Sequence, residues 1–199
     1  GNVPSTPSTP TPSDVPKSDK PVVELFVMTH CPYGTQAEKG FIPAIVALGD
    51  KIDSSVKFVH YFLHEPEETE TPIQVCIREE QGDKFNAYLK EFLKDGDADR
   101  AMAAVGINKA SLDSCVASKA EGYYAADSAL SEGYGVQGSP TLVINGVIAP
   151  SGRSADAYLQ TICGTFNDAP EECELNLDSA NPSAGFGYGT SSGVANAQC

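Results

Sequence analysis

The sequence predicts an α/β domain: one mixed sheet of about four strands, with a helical insertion in mid-chain. Three observations carry this. Residues 22–28 form a nearly continuous apolar run that leads into Cys31-Pro32 and a helical pattern. Residues 65–133 are almost entirely helical in periodicity. Residues 138–148 then read strand, Asn-Gly turn, strand.

Taken in order, residues 1–20 hold twelve Pro, Ser or Thr and cannot bury enough apolar surface to offset their ordering entropy. They are expected to be a disordered tether, of the kind that holds an exported domain near a membrane. From Pro21 the run Val22-Val23-Glu24-Leu25-Phe26-Val27-Met28 has the pattern of a strand buried on both faces. A helix is predicted from Thr35 to Leu48, closed by Gly49-Asp50, and a second strand over 55–63. Strand, helix, strand in that order implies parallel neighbours joined by a right-handed crossover.

Helical patterns follow over 65–81, 84–93, 98–105, 108–118 and 119–132. In the second of these, Phe85, Tyr88, Leu89 and Phe92 share one face. Asn145-Gly146 favours a type I′ turn, so the strands beside it should form an antiparallel hairpin. A last helix is expected over 154–166 with Ser154 as its N-cap. Residues 170–199 lose periodicity and are expected to be a loosely ordered, Cys-containing, Gly-rich tail.

The net charge of −14 argues against nucleic acid or an anionic membrane surface as partner. The six cysteines, Cys31, Cys76, Cys115, Cys163, Cys173 and Cys199, contain no C-x-x-C pair, which argues against a zinc ribbon or finger. Their wide spacing suits disulfides in an oxidising compartment. Cys76 with Cys115 is the favoured structural pair. Cys163 and Cys173 flank the end of the last helix and are candidates for each other or for the tail. Cys199 lies on a segment long enough to reach Cys31, or it pairs with Cys173 or Cys163.

A buried strand running into Cys-Pro at a helix start is the feature with chemical content. Unpaired N–H groups and the macrodipole there favour a thiolate on Cys31. Free cysteine titrates near ~8.5, and such positions reach roughly 3.5–7.5. Pro32 pre-sets the first turn and forfeits no needed hydrogen bond. His30 is expected to tune the thiolate through partial positive charge, and Tyr33 to flank the site. Ser139-Pro140-Thr141 opens the hairpin, and a cis bond before Pro140 would expose a backbone edge for an extended peptide. His30, His60 and His64 could also be set against Cys31 as metal ligands. Four residues of strand separate His60 from His64 by roughly 13 Å, too far for one ion. No metal and no cofactor is expected.

The chain resembles the thioredoxin superfamily, in its DsbA-like branch with a helical insertion. VELFVMTHCPYG, GSPTLVINGV and SADAYLQTICGTF carry the resemblance over residues 21–166, within a domain bounded at 21–169. It implies a thioredoxin fold and a thiol–disulfide oxidoreductase acting on cysteine-containing protein substrates. Cys31 would be the nucleophile and Pro140 the cis-proline that positions substrate. Location would be extracytoplasmic, in periplasm or at the cell surface, with a membrane redox partner as a further candidate. The family's second cysteine would stand at position 34, where this chain has Gly34. That leaves a single-cysteine exchange or isomerase chemistry, or a binding module without redox turnover.

A fainter resemblance links YFLHEPEE and Cys76 to the gamma-interferon-inducible lysosomal thiol reductases. His64 and Glu68 match, Phe62 and Thr69 replace that signature's other cysteines, and the spacing to Cys76 is one residue off.

Overall fold

The apolar run near the start of the domain is strand β1 (Val22–Val27), and its two faces enter two different clusters. Val23, Leu25 and Val27 point into the main core, while Phe26 and then Met28 join a smaller cluster with Cys31, Val59, Val136 and Val143. Burial on both faces is why the run carries so little alternation. Glu24 shares the second face. Burial raises its carboxyl above the ordinary value, against a hydrogen bond from the Tyr134 hydroxyl at 3.1 Å. The computed structural model describes residues 14–199.

Helix α1 (Pro32–Leu48) crosses to β2 (Asp53–Phe58), which pairs parallel to β1. The sheet is ordered β2-β1-β3-β4, with β3 (Thr141–Ile144) antiparallel to β1 and β4 (Val147–Ile148) antiparallel to β3. Between β3 and β4, Asn145 and Gly146 both take positive φ, 49° and 82°, as a type I′ turn requires. The strand expected over 55–63 stops at Phe58. The Phe58 amide donates to Asp127 Oδ2 at 3.0 Å and the His60 amide to Ser131 Oγ at 3.3 Å, so a helix of the insertion takes the chain off the ladder. His60 therefore lies beyond the strand.

The insertion consists of α2 (Glu67–Glu80), α3 (Phe85–Asp95), α4 (Ala98–Val105), α5 (Lys109–Ser118) and α6 (Ala120–Gly133). Phe85, Tyr88, Leu89 and Phe92 are all buried, as their shared face demands. Cys76 of α2 is bonded to Cys115 of α5. Arg78 ties α2 to α6 through both Asp127 oxygens, at 2.6 and 2.9 Å. Helix α7 (Ala155–Cys163) starts at Ser154, whose hydroxyl accepts from the Ala157 amide at 3.0 Å. It packs on α1 at Gly40, where the Arg153 carbonyl occupies the space a side chain would need.

Among the described residues, the segments flanking the domain are more ordered than composition suggests. Residues 1–13 of the expected tether lie outside the described residues. Residues 14–20 are docked: Val15 is buried in the core, and Ser18 exchanges backbone hydrogen bonds with Thr165 and Asn167. The expected loose tail is likewise held down. Cys163 is bonded to Cys173, β5 (Asn181–Pro182) pairs with β6 (Thr190–Ser191), and Cys199 is bonded to Cys31. Little periodicity announces these contacts, because apart from single anchors such as Val15 they are made by carbonyls, glycines and sulphur instead of an apolar face. Among the described residues no helix is long and apolar enough to cross a membrane.

Candidate active site

Cys31 is the N-cap of α1, with extended backbone and its sulphur 3.3 Å from the Gly34 amide that donates to it. Pro32 occupies the first helical position, so the cap loses no bond to the missing N–H. The Cys31 sulphur has no solvent access, and the Ser139 carbonyl oxygen lies 3.4 Å away. Between Ser139 and Pro140 the peptide bond is cis. Thr141 Oγ1 closes that corner by donating to the Gly138 carbonyl at 2.7 Å. Tyr33, half-buried, packs beside Cys31 in the smaller cluster.

The second thiol of the site comes from the tail. Cys199 is bonded to Cys31 across 168 residues of chain, in place of the alternative pairing with Cys163 or Cys173. Its backbone is paired as well as its sulphur. The Cys199 amide donates to the Ser139 carbonyl at 2.9 Å, and the Ser139 amide donates to the Cys199 carbonyl at 3.1 Å. Gln198 adds a 2.6 Å bond from its side-chain amide to the Pro140 carbonyl. The tail therefore meets the edge beside the cis-proline as a single antiparallel residue pair. A groove of about 430 Å³ continues past it, lined by Gly138, Pro140, Thr141, Ile148, Arg153 and Gln198.

Gly34 and Ser139 fit each other. Ser139 Oγ accepts from the Met28 amide at 2.9 Å, and a Cβ on residue 34 would stand 2.6 Å from that hydroxyl.

Further residues organise the surroundings. Glu67, fully buried, accepts from the amides of Leu63 and His64 at 2.9 Å and of His30 at 3.1 Å. It thereby binds the loop after β2 to the residue preceding Cys31. The signal available was His64-x-x-Glu67, the spacing at which a glutamate reaches back to amides before a helix. Lys39, 6% exposed, donates to the carbonyls of Ser183, Gly185 and Gly187 at 2.6, 2.9 and 2.6 Å. Thr35 and Gln36 add bonds to Gly185 and Pro182, and Phe186 packs edge-on against His30 and Phe92. Next to Lys39, the buried Glu38 carboxyl is pushed up to about 8 by desolvation first and by Glu70 second.

His30 differs from its expected role. Burial lowers its pKa, more than the Glu67 carboxylate raises it, which favours the neutral ring over a cationic tuner. His64 Nδ1 sits 3.1 Å from Glu67, and His60 Nδ1 sits 2.8 Å from Ser131 Oγ. Among the described residues no group of three or more His, Cys, Asp or Glu is placed to hold a metal ion. Glu68, the acid matched to the lysosomal reductase signature, is exposed, and its buried neighbour Glu67 makes the contacts.

No protein-family model and no curated protein sequence matches the chain. Solved structures do. Reduced DsbA from Mycobacterium tuberculosis superposes with a TM-score of 0.58 at 18% identity, over 77% of this chain and 86% of its own. The disulfide bond oxidoreductase DsbG of the same organism, also reduced, gives 0.58 at 18% over 82% and 92%. MdbA, a thiol-disulfide oxidoreductase from Actinomyces oris, gives 0.58 at 14% over 76% and 83%. At these identities the likeness shows the fold: a thioredoxin fold with the DsbA-like helical insertion.

Proposed function

We propose that this protein is a thiol–disulfide oxidoreductase of cysteine-containing proteins, with Cys31 as nucleophile and Cys199 as its redox partner. The observation that carries the reading is the Cys31–Cys199 bond at a helix N-cap, with the Cys199 backbone strand-paired to Ser139. A thiol from the tail would stand in for the one that Gly34 lacks, which supports a two-cysteine couple over single-cysteine exchange.

In the reduced form the Cys31 thiolate accepts from the Gly34 amide and gains from the helix N-terminus. It attacks one sulphur of a substrate disulfide, forming a mixed disulfide and releasing the other sulphur as thiolate. Attack by the Cys199 thiolate on the Cys31 sulphur then releases the second substrate thiolate and forms Cys31–Cys199. Two electrons have moved to the substrate, and the reverse sequence oxidises a dithiol. Ser139 and Pro140 hold the substrate backbone where Cys199 now lies, and His30, Tyr33, Gly34 and Thr141 shape the walls. Three disulfides support an oxidising, extracytoplasmic location.

The test is turnover of a disulfide-bonded peptide by the reduced protein. Cys31→Ser is expected to abolish exchange, and Cys199→Ser to accumulate a mixed disulfide on Cys31. Exchange that survives in Cys31→Ser would overturn the reading. A parent protein that binds the peptide without exchanging would point to a binding module.

A further inference from the structure

The two sulphurs of the Cys31–Cys199 bond are not equally open to attack. Cys31 has no solvent access and is enclosed by Met28, Val59, Val136 and Val143, with the Gly34 amide and Ser139 carbonyl against its sulphur. Cys199, packed against the same cluster, is only partly buried as a residue. Cys31 is sealed while the tail lies on the Ser139 edge, whereas the residue that carries the other sulphur keeps part of its surface in solvent.

The leaving groups differ in the same sense. Attack at Cys199 expels the Cys31 thiolate, which remains on the Gly34 amide at the start of a 17-residue helix. Exchange is faster when the departing thiolate is the better stabilised one.

The tail is also built to carry a thiol adduct away. Residues 181–193 are held by β5–β6 pairing, by Lys39 and by a 2.9 Å bond from the Asn181 side-chain amide to the Gly193 carbonyl. Val194 is 89% exposed, and the last residues are tied to the domain by Gln198 and Cys199, through Ser139, Pro140 and Cys31. With the disulfide broken, the arm beyond Gly193 reaches roughly 20 Å at about 3.3–3.6 Å per residue.

We propose that thiols enter the oxidised protein at Cys199, while disulfides enter the reduced protein at Cys31. This rests on the reading of Cys31 and Cys199 as a redox couple. An incoming thiolate forms a bond to the Cys199 sulphur as the Cys199–Cys31 bond breaks and its electron pair stays on Cys31. A second thiolate attacks the incoming sulphur of that mixed disulfide. The two incoming thiols leave as a disulfide, and Cys199 is released as thiolate. The oxidised donor product thus forms at the released arm and leaves it, and the Ser139–Pro140 edge is freed for the next disulfide.

Reduced glutathione serves as the probe. The oxidised full chain is exposed to it briefly, quenched with acid, alkylated and mapped by peptide mass. The expected result is glutathione on Cys199 and an alkylated Cys31, in at least tenfold excess over the converse. Glutathione on Cys31 with Cys199 alkylated overturns this proposal and leaves the oxidoreductase reading standing. An unreacted Cys31–Cys199 bond, together with no turnover of the disulfide peptide, overturns both.

Discussion

The hydroxyl of Ser139 stands in the space that a side chain at position 34 would fill, 2.6 Å from the Cβ that Gly34 lacks. It is fixed there by the Met28 amide. Rotating the hydroxyl away to admit a larger residue strands a buried N–H, at a cost of about 1–3 kcal/mol. Gly34→Ala is expected to lose that amount in urea unfolding, and to lose little in a Ser139→Ala background. The double-mutant cycle measures the coupling. Gly34→Cys alone should fail to create an adjacent dithiol, whereas Gly34→Cys with Ser139→Ala should form one, read by peptide mapping as a bond from Cys31 to the introduced thiol.

Lys39 is the fastening of the tail. Lys39→Met keeps the stem but removes the charged donor from the carbonyls of Ser183, Gly185 and Gly187. A loss of about 2 kcal/mol is expected. Amide exchange should rise over residues 183–188, with the central strands unaffected.

Stability should fall as pH rises through neutrality. Burial holds Glu38 up to about 8 and Glu70 to about 7, against an ordinary value of 4.5. Both are therefore protonated in the folded protein between pH 4.5 and those values, where the unfolded chain is ionised and binds fewer protons. Their contribution is fully present below about pH 4.5 and is lost as pH rises through 7 to 8. Glu38 Oε2 has no hydrogen-bond partner among the described residues, so the ionised form finds little to hold it. The urea midpoint is expected to drop between about pH 5 and about pH 8, and Glu38→Gln should flatten that slope.

Glu67 holds the approach to the site in shape. Glu67→Ala strands the amides of His30, Leu63 and His64 together, and a loss of roughly 3 kcal/mol is expected. Glu67→Gln retains one carbonyl acceptor and should lose about half as much. Slower closure of Cys31–Cys199 after reduction, followed by thiol alkylation, checks that the loss reaches the active site.

The parts of the fold legible in the sequence are those written in short-range pattern. Strand into Cys-Pro, the Asn-Gly turn and the apolar face of Phe85, Tyr88, Leu89 and Phe92 all place themselves by neighbours within a few residues. Helix ends slipped by only a residue or two in the insertion, where Asp97 and Asn108 cap α4 and α5 with their side chains. The last helix ended three residues earlier than periodicity suggested, because Gly164 closes it after Cys163. What stayed illegible was contact between distant polar atoms. Nothing near Lys39 announces that it meets carbonyls more than 140 residues on, and nothing near Cys199 announces Ser139. Glycine-rich sequence reads as loose because it has no side chains to pack, yet its bare carbonyls are what a buried ammonium can gather.

That gathering changes the arithmetic of closing the ring between the two active-site sulphurs. Counted along the chain, the ring spans 168 residues. With Gly187 pinned to Lys39 and to the Leu93 carbonyl, only the last dozen or so residues have freedom to lose. Everything up to Cys173 is already held by the fold and by the Cys163–Cys173 bond, so the pin shortens the free segment from about 26 residues to a dozen, which on logarithmic loop-closure entropy favours closure by roughly 0.7 kcal/mol. Cys199 is thereby offered to Cys31 at an effective concentration about threefold higher. One buried lysine makes a contact between distant parts of the chain behave as a neighbouring one.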